Sequence, residues 1–253
     1  MAADGPDQNS RLLTSMTIAV IIPVLNEARG LDRTLSHTHS LGFDELIIVD
    51  GGSSDDTCAI ARSFADRIGI PLAPSAGSMR LLTAPHGRAR QLNTGAAASG
   101  RDVLLFLHAD TRLPSNAQQA ILIALSNETC VGGRFDVRFD STRLPARIIG
   151  RLMNLRSRWS GIATGDQAIF VRRAVFEKMG GFADIPLMED IEFTRRLKRA
   201  GQLASLPDQV VTAFRRWEQQ GPLRTILLMW TLRFLYWIGV SPHRLQHFYS
   251  MVR

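Results

Sequence analysis

The chain has 253 residues, 45% hydrophobic and 21% charged, enough to bury a core without disulfide or metal staples, and this composition excludes global disorder, collagen-like repeats and low-complexity tracts. Its two cysteines, Cys58 and Cys130, stand far apart with no Cys-x-x-Cys pair, which excludes a disulfide framework and a zinc finger and fits a reduced, cytosolic compartment. Lysines and arginines number 30 against 23 acids, and the net charge of +7 favours anionic partners: nucleotides, nucleic acid or an acidic membrane face.

Residues 1–15 are polar, carry Asp4 and Asp7 and read as a loose tail without a signal peptide. Residues 18–22 form a short apolar run ended by Pro23, the mark of a buried strand. A helix is predicted over 27–41, with Leu31 and Leu35 at helical spacing, then a strand over 46–49 ended by Asp50-Gly51-Gly52-Ser53-Ser54. Over 55–68, Ile60, Ala61, Phe64, Ala65 and Ile68 fall on one helical face. A weaker strand over 80–83 and an Ala-rich helix over 88–99, closed by Gly100, lead to a third strong strand over 103–107, ended by His108-Ala109-Asp110. Strand and helix alternate, which predicts an α/β fold: a mostly parallel central sheet with helices on both faces. In such sheets ligands bind at the carboxyl ends of strands, so residues 23–27, 50–54 and 108–110 should converge on one crevice. The second half adds strands over 131–139, 168–171 and 210–214 and helices over 148–159 and 191–200. With no linker in sight, residues 16–220 read as one unit and 221–253 as a C-terminal helical appendage.

The usual phosphate fingerprints are missing. There is no GxxxxGK[ST], and Pro23 stands where a GxGxxG would follow the first strand, so a P-loop ATPase and a dinucleotide dehydrogenase are disfavoured. Nucleotide would have to be held by side chains at several strand ends. Asp50 could accept from a base or a ribose hydroxyl, or merely form the turn before Gly51-Gly52. Arg88 opens a helix, where cation and helix dipole could both face phosphate, or it is a solvated helix-start residue. Asp110 ends the most apolar strand, where a carboxylate is costly without a partner; a divalent metal on two phosphates would supply one, and a turn or cap is the plain alternative. His108, two residues earlier on an extended chain, could be a second ligand or a phosphate donor, or structural. Glu189-Asp190 opens a predicted helix, where acids are favoured anyway, but one of them could serve as general base toward an attacking hydroxyl.

Six segments in this order resemble the family-2 glycosyltransferases of GT-A fold: IAVIIPVLNEA, IIVDGGSSDDT, GRARQLNTGA, LFLHADT, GGF and MEDIEF, together spanning about residues 16–200. The resemblance implies a nucleotide-sugar donor, with a UDP-sugar expected. It implies that Pro23, Asn26, Glu27 and Asp50 line the nucleoside pocket, that Arg88 and Asn93 hold the nucleotide, and that Asp110 coordinates Mn2+ or Mg2+ on the diphosphate. Asp190, beside Glu189, becomes the base of an inverting displacement. Two departures stand out. His108 replaces the first acid of the metal motif Asp-x-Asp, which suits Mn2+ better than Mg2+. Gly51 replaces the second of two paired acids after the second strand, leaving Asp50 alone. Gly165-Asp166-Gln167 resembles an acceptor- and sugar-proximal segment of the family, and Arg215-Arg216-Trp217 a late Arg-rich, Trp-ending motif that could meet diphosphate or stack on sugar. The terminal SPHRL segment and the HAD motif resemble a short bacterial subgroup that includes diaponeurosporenoate-type enzymes, which implies a carotenoid or polyprenyl lipid acceptor.

Residues 223–240 are rich in Leu, Trp, Phe and Tyr, but Arg224 and Arg233 fall on opposite sides of a helix, roughly 900° apart. The segment reads either as a surface helix on an anionic membrane, with Trp230, Phe234, Trp237 and Tyr249 near headgroups, or as a helix packed on the catalytic unit or a second subunit. The first places the protein at the cytoplasmic membrane face, the second in the cytoplasm. A nucleotidyltransferase, a basic nucleic-acid-binding protein and an inactive membrane scaffold are the competing readings. The first lacks a Gly- and Lys-rich loop, the second an interleaved aromatic and basic motif, and nucleic acid is not expected as a partner.

Overall fold

The computed structural model describes residues 16–70, 72 and 78–252, so the predicted 1–15 tail lies outside the described residues. Eight strands form one sheet: β1 (Ile18–Val24), β2 (Glu45–Asp50), β3 (Met79–Thr83), β4 (Val103–Phe106), β5 (Thr111–Arg112), β6 (Cys130–Phe139), β7 (Ile169–Arg172) and β8 (Gln202–Thr212). Their spatial order is β3-β2-β1-β4-β7-β6-β8-β5. The first four are mutually parallel, β7 runs antiparallel between β4 and β6, β8 is parallel to β6, and β5 closes the edge antiparallel to β8.

The central runs of β1, β2 and β4 are apolar at successive positions because both sheet faces are covered. Ile18, Val20, Ile22, Leu46, Ile48, Val103 and Leu105 pack under α1 (Leu31–Ser40), α2 (Thr57–Ile68) and α4 (Ala117–Leu125). The alternate residues Ala19, Ile21, Ile47, Val49, Leu104 and Phe106 pack under α3 (Arg88–Ala98) and, through Phe193 and Leu197, α7 (Glu189–Ala200). The predicted layered α/β architecture is therefore observed. β1 runs through Pro23, which pairs in register with Val49.

Other boundaries move for physical reasons. β8 begins eight residues before its predicted start, because Pro207 and Asp208 interrupt its pattern. They sit in a bulge where the register steps from Phe135↔Leu206 to Asp136↔Gln209. α5 (Leu144–Ser160) starts four residues early, with Pro145 in its first turn. α6 (Arg173–Lys178) and α8 (Arg215–Gln220) are short additions. The C-terminal region is two helices, α9 (Pro222–Trp237) and α10 (Pro242–Val252). Leu232 and Leu245 are fully buried against Met188, and Ile191 packs on the same cluster, so both helices lie on the start of α7. The other side of α9 exposes Leu227, Trp230, Phe234 and Trp237. Among the described residues, no helix is long and apolar enough to cross a membrane.

Candidate functional site

The loops after β1 and β2 are tied together before they reach any ligand. Asn26, at φ 56°, accepts from the Ser54 amide at 2.8 Å through Oδ1, and its own amide donates to Ser53 Oγ at 3.0 Å. The Glu27 amide donates to Thr57 Oγ1 at 2.8 Å. Asp50 is buried and accepts from the amides of Gly52 at 3.0 Å and Ser53 at 3.1 Å, so its carboxylate shapes the loop as an Asx turn. Gln91 was not singled out in the sequence. Its buried Nε2 donates to both Val24 O and Val49 O at 2.8 Å, stitching the ends of β1 and β2. Gly51 makes this possible: a Cβ there would lie 2.9 Å from the Gln91 side chain. The residue that departs from the paired-acid pattern is thus the space for a buried amide.

A second group forms a narrow cleft at the end of β4, where Arg88, His108, Gly165, Phe182, Glu189 and Asp190 share one lining. Arg88, at the N-terminus of α3, has a guanidinium 3.7 Å from Glu189 Oε1 and lies within electrostatic reach of Asp190 and Asp166. His108 Nδ1 is 3.1 Å from Asp166 Oδ1 in the 165–167 turn, and its ring closes over Gly165, where a Cβ would stand 2.3 Å from His108 Nε2. Asp190 is held by two amides: Gly165 donates to Oδ2 at 2.8 Å and Ile191 to Oδ1 at 2.7 Å. Glu189 is buried beside it, and burial together with the Asp190 charge pushes its carboxyl above the usual range, against the pull of Arg88. The predicted Glu189-Asp190 pair, Arg88, His108 and Gly165 are therefore brought together at one cleft.

Several expectations meet a different arrangement. β4 ends at Phe106, Leu107 still donates to Ile21 O at 3.0 Å, and the chain then turns, the Thr111 amide donating to His108 O at 3.1 Å, so that His108 faces Asp166 while Asp110 is exposed to solvent. The premise of a buried Asp110 fails for that reason. Asn93 spends its amide on the backbone of Phe182, donating to the carbonyl at 2.8 Å and accepting from the amide at 2.9 Å. It pins the Gly180-Gly181-Phe182 loop while Phe182 enters a ring cluster, 4.2 Å from Phe193 and 4.9 Å from Phe106 between centroids. Trp217 is partly buried, its ring at 4° to Phe214 and edge-on to Phe139. Arg215 is exposed at the start of α8, and the side chain of Arg216 lies outside the described residues. Pro23 is half-buried in the sheet end. Gln167 is fully buried, its Oε1 accepting from Ser157 Oγ at 2.7 Å and the Thr164 amide at 3.2 Å.

Among the described residues, no three His, Cys, Asp or Glu side chains converge as a preformed metal cage. The donors of the expected metal motif are His108, paired with Asp166 at the cleft, and Asp110, exposed to solvent and outside the cleft lining. That set fits a hard divalent ion that keeps several waters and binds largely through substrate phosphates.

The chain is 29% identical over 224 residues to the probable glycosyltransferase YdaM of Bacillus subtilis, covering 80% of this chain and 50% of that one. It is 27% identical over 163 residues to an undecaprenyl-phosphate 4-deoxy-4-formamido-L-arabinose transferase of Pseudomonas savastanoi, covering 61% and 46%. The chain thus spans about half the length of these curated relatives. Among solved structures, the Pyrobaculum calidifontis mannosyltransferase PcManGT in complex with GDP-Man and Mn2+ superposes with a TM-score of 0.59 at 21% identity, over 79% of this chain and 58% of that one. The Mycobacterium tuberculosis glucosyl-3-phosphoglycerate synthase with Mn2+, UDP and its product gives 0.56 at 18%, over 83% and 77%. Both are likenesses of fold, GT-A in type. The model of the family described as glycosyl transferase family 2 matches residues 19–181, well over half the chain, and covers β1 through the Asn93-pinned glycine loop: the chain belongs to glycosyl transferase family 2.

Proposed function

We propose that this protein transfers a sugar from a nucleotide sugar, a UDP-sugar, to a hydroxyl of a lipid-type acceptor, with inversion at the anomeric carbon. The observation that carries the reading is the cleft itself: Asp190 fixed by two backbone amides and faced by Arg88 and His108 at the end of β4. Asp190 takes the proton of the acceptor hydroxyl as that oxygen bonds to the anomeric carbon, and the bond from that carbon to the diphosphate breaks, its electron pair leaving with the nucleoside diphosphate. Arg88 and the N-terminal amides of α3 offset the charge gathering on the leaving phosphate. Asp110 would hold a divalent ion, which when bound would act as a Lewis acid on the diphosphate. The loops around Asn26, Glu27 and Asp50 form the nucleoside end of the site, shaped by the hydrogen bonds above. Asn93 is a positioning residue for the loop at Phe182. The family assignment favours this reading over a nucleotidyltransferase or a nucleic-acid-binding protein.

A lipid-type acceptor is supported by the polyprenyl-phosphate named in the Pseudomonas relative and by two exposed apolar surfaces. On α5, Leu144, Ile148, Leu152, Leu155 and Trp159 form a stripe at helical spacing, flanked by exposed Arg147, Arg151 and Arg158; on α9 the exposed Trp230, Phe234 and Trp237 form another. Apolar stripes with arginine flanks suit an anionic membrane surface, as on the cytoplasmic leaflet. The carotenoid acid implied by the subgroup resemblance has no residue in this chain that carries it. The test is a melting-temperature screen with UDP, GDP and dTDP and their sugars, with and without Mn2+, followed by transfer to polyprenyl phosphate. A metal-dependent rise for one base, by the linkage of ligand binding to stability, identifies the donor; no rise with any of them removes the transferase reading.

A further inference from the structure

Two arginines outside the cleft lining come from elements to which no sequence motif assigns chemistry. Arg156 sits in the last turns of α5, and Arg233, beyond the family match, sits on α9. Both are largely withdrawn from solvent, and the Nε atom of each is buried without a hydrogen-bond partner. They lie within electrostatic reach of each other and of the same two acids, Asp190 and Asp166. Neither is ion-paired with a carboxylate among the described residues, in contrast to nearby Arg134 and Arg158, which share Asp136 at 2.9 and 2.8 Å. One bond ties the pair into the site: Arg156 Nη2 donates to Ser157 Oγ at 2.9 Å, and that hydroxyl donates to Gln167 Oε1 at 2.7 Å. The Nε2 of Gln167, fully buried, is also without a partner.

We infer that Arg156 and Arg233 form a seat for an oxyanion of the acceptor, a phosphate or carboxylate group close to the hydroxyl that receives the sugar. The inference rests on the transferase reading above and gives its acceptor a charge. Burying two like charges without partners is costly, and a planar guanidinium presents a fork that matches phosphate and carboxylate oxygens. Burial and then the neighbouring Arg233 lower Arg156 to about 10, and burial lowers Arg233, the signature of cations that an incoming anion would relieve. Arg88, across the cleft, already answers to the donor diphosphate, and neither Arg156 nor Arg233 lines that cleft. This leaves the pair on the acceptor side of Asp190.

The experiment compares the full chain with its R156M/R233M double variant by calorimetry, using UDP with Mn2+, inorganic phosphate alone, and phosphate added to UDP-saturated protein. Expected are phosphate binding by wild type with or without UDP, a loss of at least about tenfold in phosphate affinity in the variant, and UDP affinity within twofold. The apo variant should also melt higher, since two unpaired buried charges are gone. If UDP abolishes phosphate binding, or the variant loses UDP affinity tenfold, the pair belongs to the donor diphosphate and the inference is overturned. Equal phosphate binding in both proteins, or none by wild type at millimolar concentration, overturns it as well. A wild type that binds phosphate through this pair but not UDP would sink the transferase reading separately. Should the double variant not fold, R156Q and R233Q carry the same comparison singly.

Discussion

At Asp190, two backbone amides fix both carboxylate oxygens; Asp190→Asn keeps the size of the side chain, gives up one of these two acceptors and removes the base. Turnover should fall by about 10²–10⁴-fold with UDP affinity within twofold; turnover near wild type would reject Asp190 as base. Glu189 makes an opposite kind of prediction. Its raised carboxyl pKa means the fold holds a proton there more tightly than the unfolded chain does, so stability is fully present below the ordinary carboxylate range and declines as pH rises through the raised value. Glu189→Gln removes that pH term. Its melting temperature relative to wild type should therefore rise between acid and neutral pH; a difference independent of pH contradicts the assignment. Gln91→Leu takes the side-chain donor from the Val24 and Val49 carbonyls, of which Val24 O keeps the Gly51 amide at 3.0 Å; the loss, about 1–3 kcal/mol, should lower the melting temperature by several degrees. Asp50 and Asn93 show how far one residue can be read alone. Their types and places at strand end and helix were legible, but whether a carboxylate or amide meets a ligand or its own backbone depends on loops that fold onto it from elsewhere.

At the level of elements, α5 and α9 each combine a packed face with an exposed apolar one. Residues 148–159 read as a basic helix because of Arg151, Arg156 and Arg158; the stripe from Leu144 to Trp159 emerges only when the opposite face, with Ile149 and Asn154, is seen against β6. Trp237 is 81% exposed and Trp159 89%, so neither holds the fold together. Replacing Trp159, Trp230 and Trp237 by Ser should cut co-sedimentation with anionic vesicles severalfold while leaving the melting temperature within a degree or two, and binding should weaken with salt. Unchanged sedimentation would place the apolar stripes in a protein–protein contact instead.

For the whole molecule, the C-terminal helices buttress the start of α7, which carries Glu189 and Asp190. Leu232 and Leu245 bury fully against Met188, the residue before Glu189. Each such side chain is worth about 1.5–3 kcal/mol. Ending the chain after Gly221 should therefore lower the melting temperature by many degrees and abolish any UDP-dependent rise, where a mere membrane anchor would leave both intact.

What the amino-acid order determined by itself was the layered α/β sheet, since uninterrupted apolar runs alternating with one-faced helices can bury both sheet faces in no simpler way, and the six motifs that mark the family. It also placed Arg88, His108 and the Glu189-Asp190 pair at strand and helix ends, where short loops force convergence. Tertiary structure decided the rest. The turn from His108 to Thr111 leaves Asp110 in solvent while His108 faces Asp166, the space at Gly51 admits Gln91, and the packing of α5 and α9 brings Arg156 and Arg233 within electrostatic reach of Asp190. These depend on contacts between residues distant along the chain, and no local periodicity encodes which distant side chain will arrive.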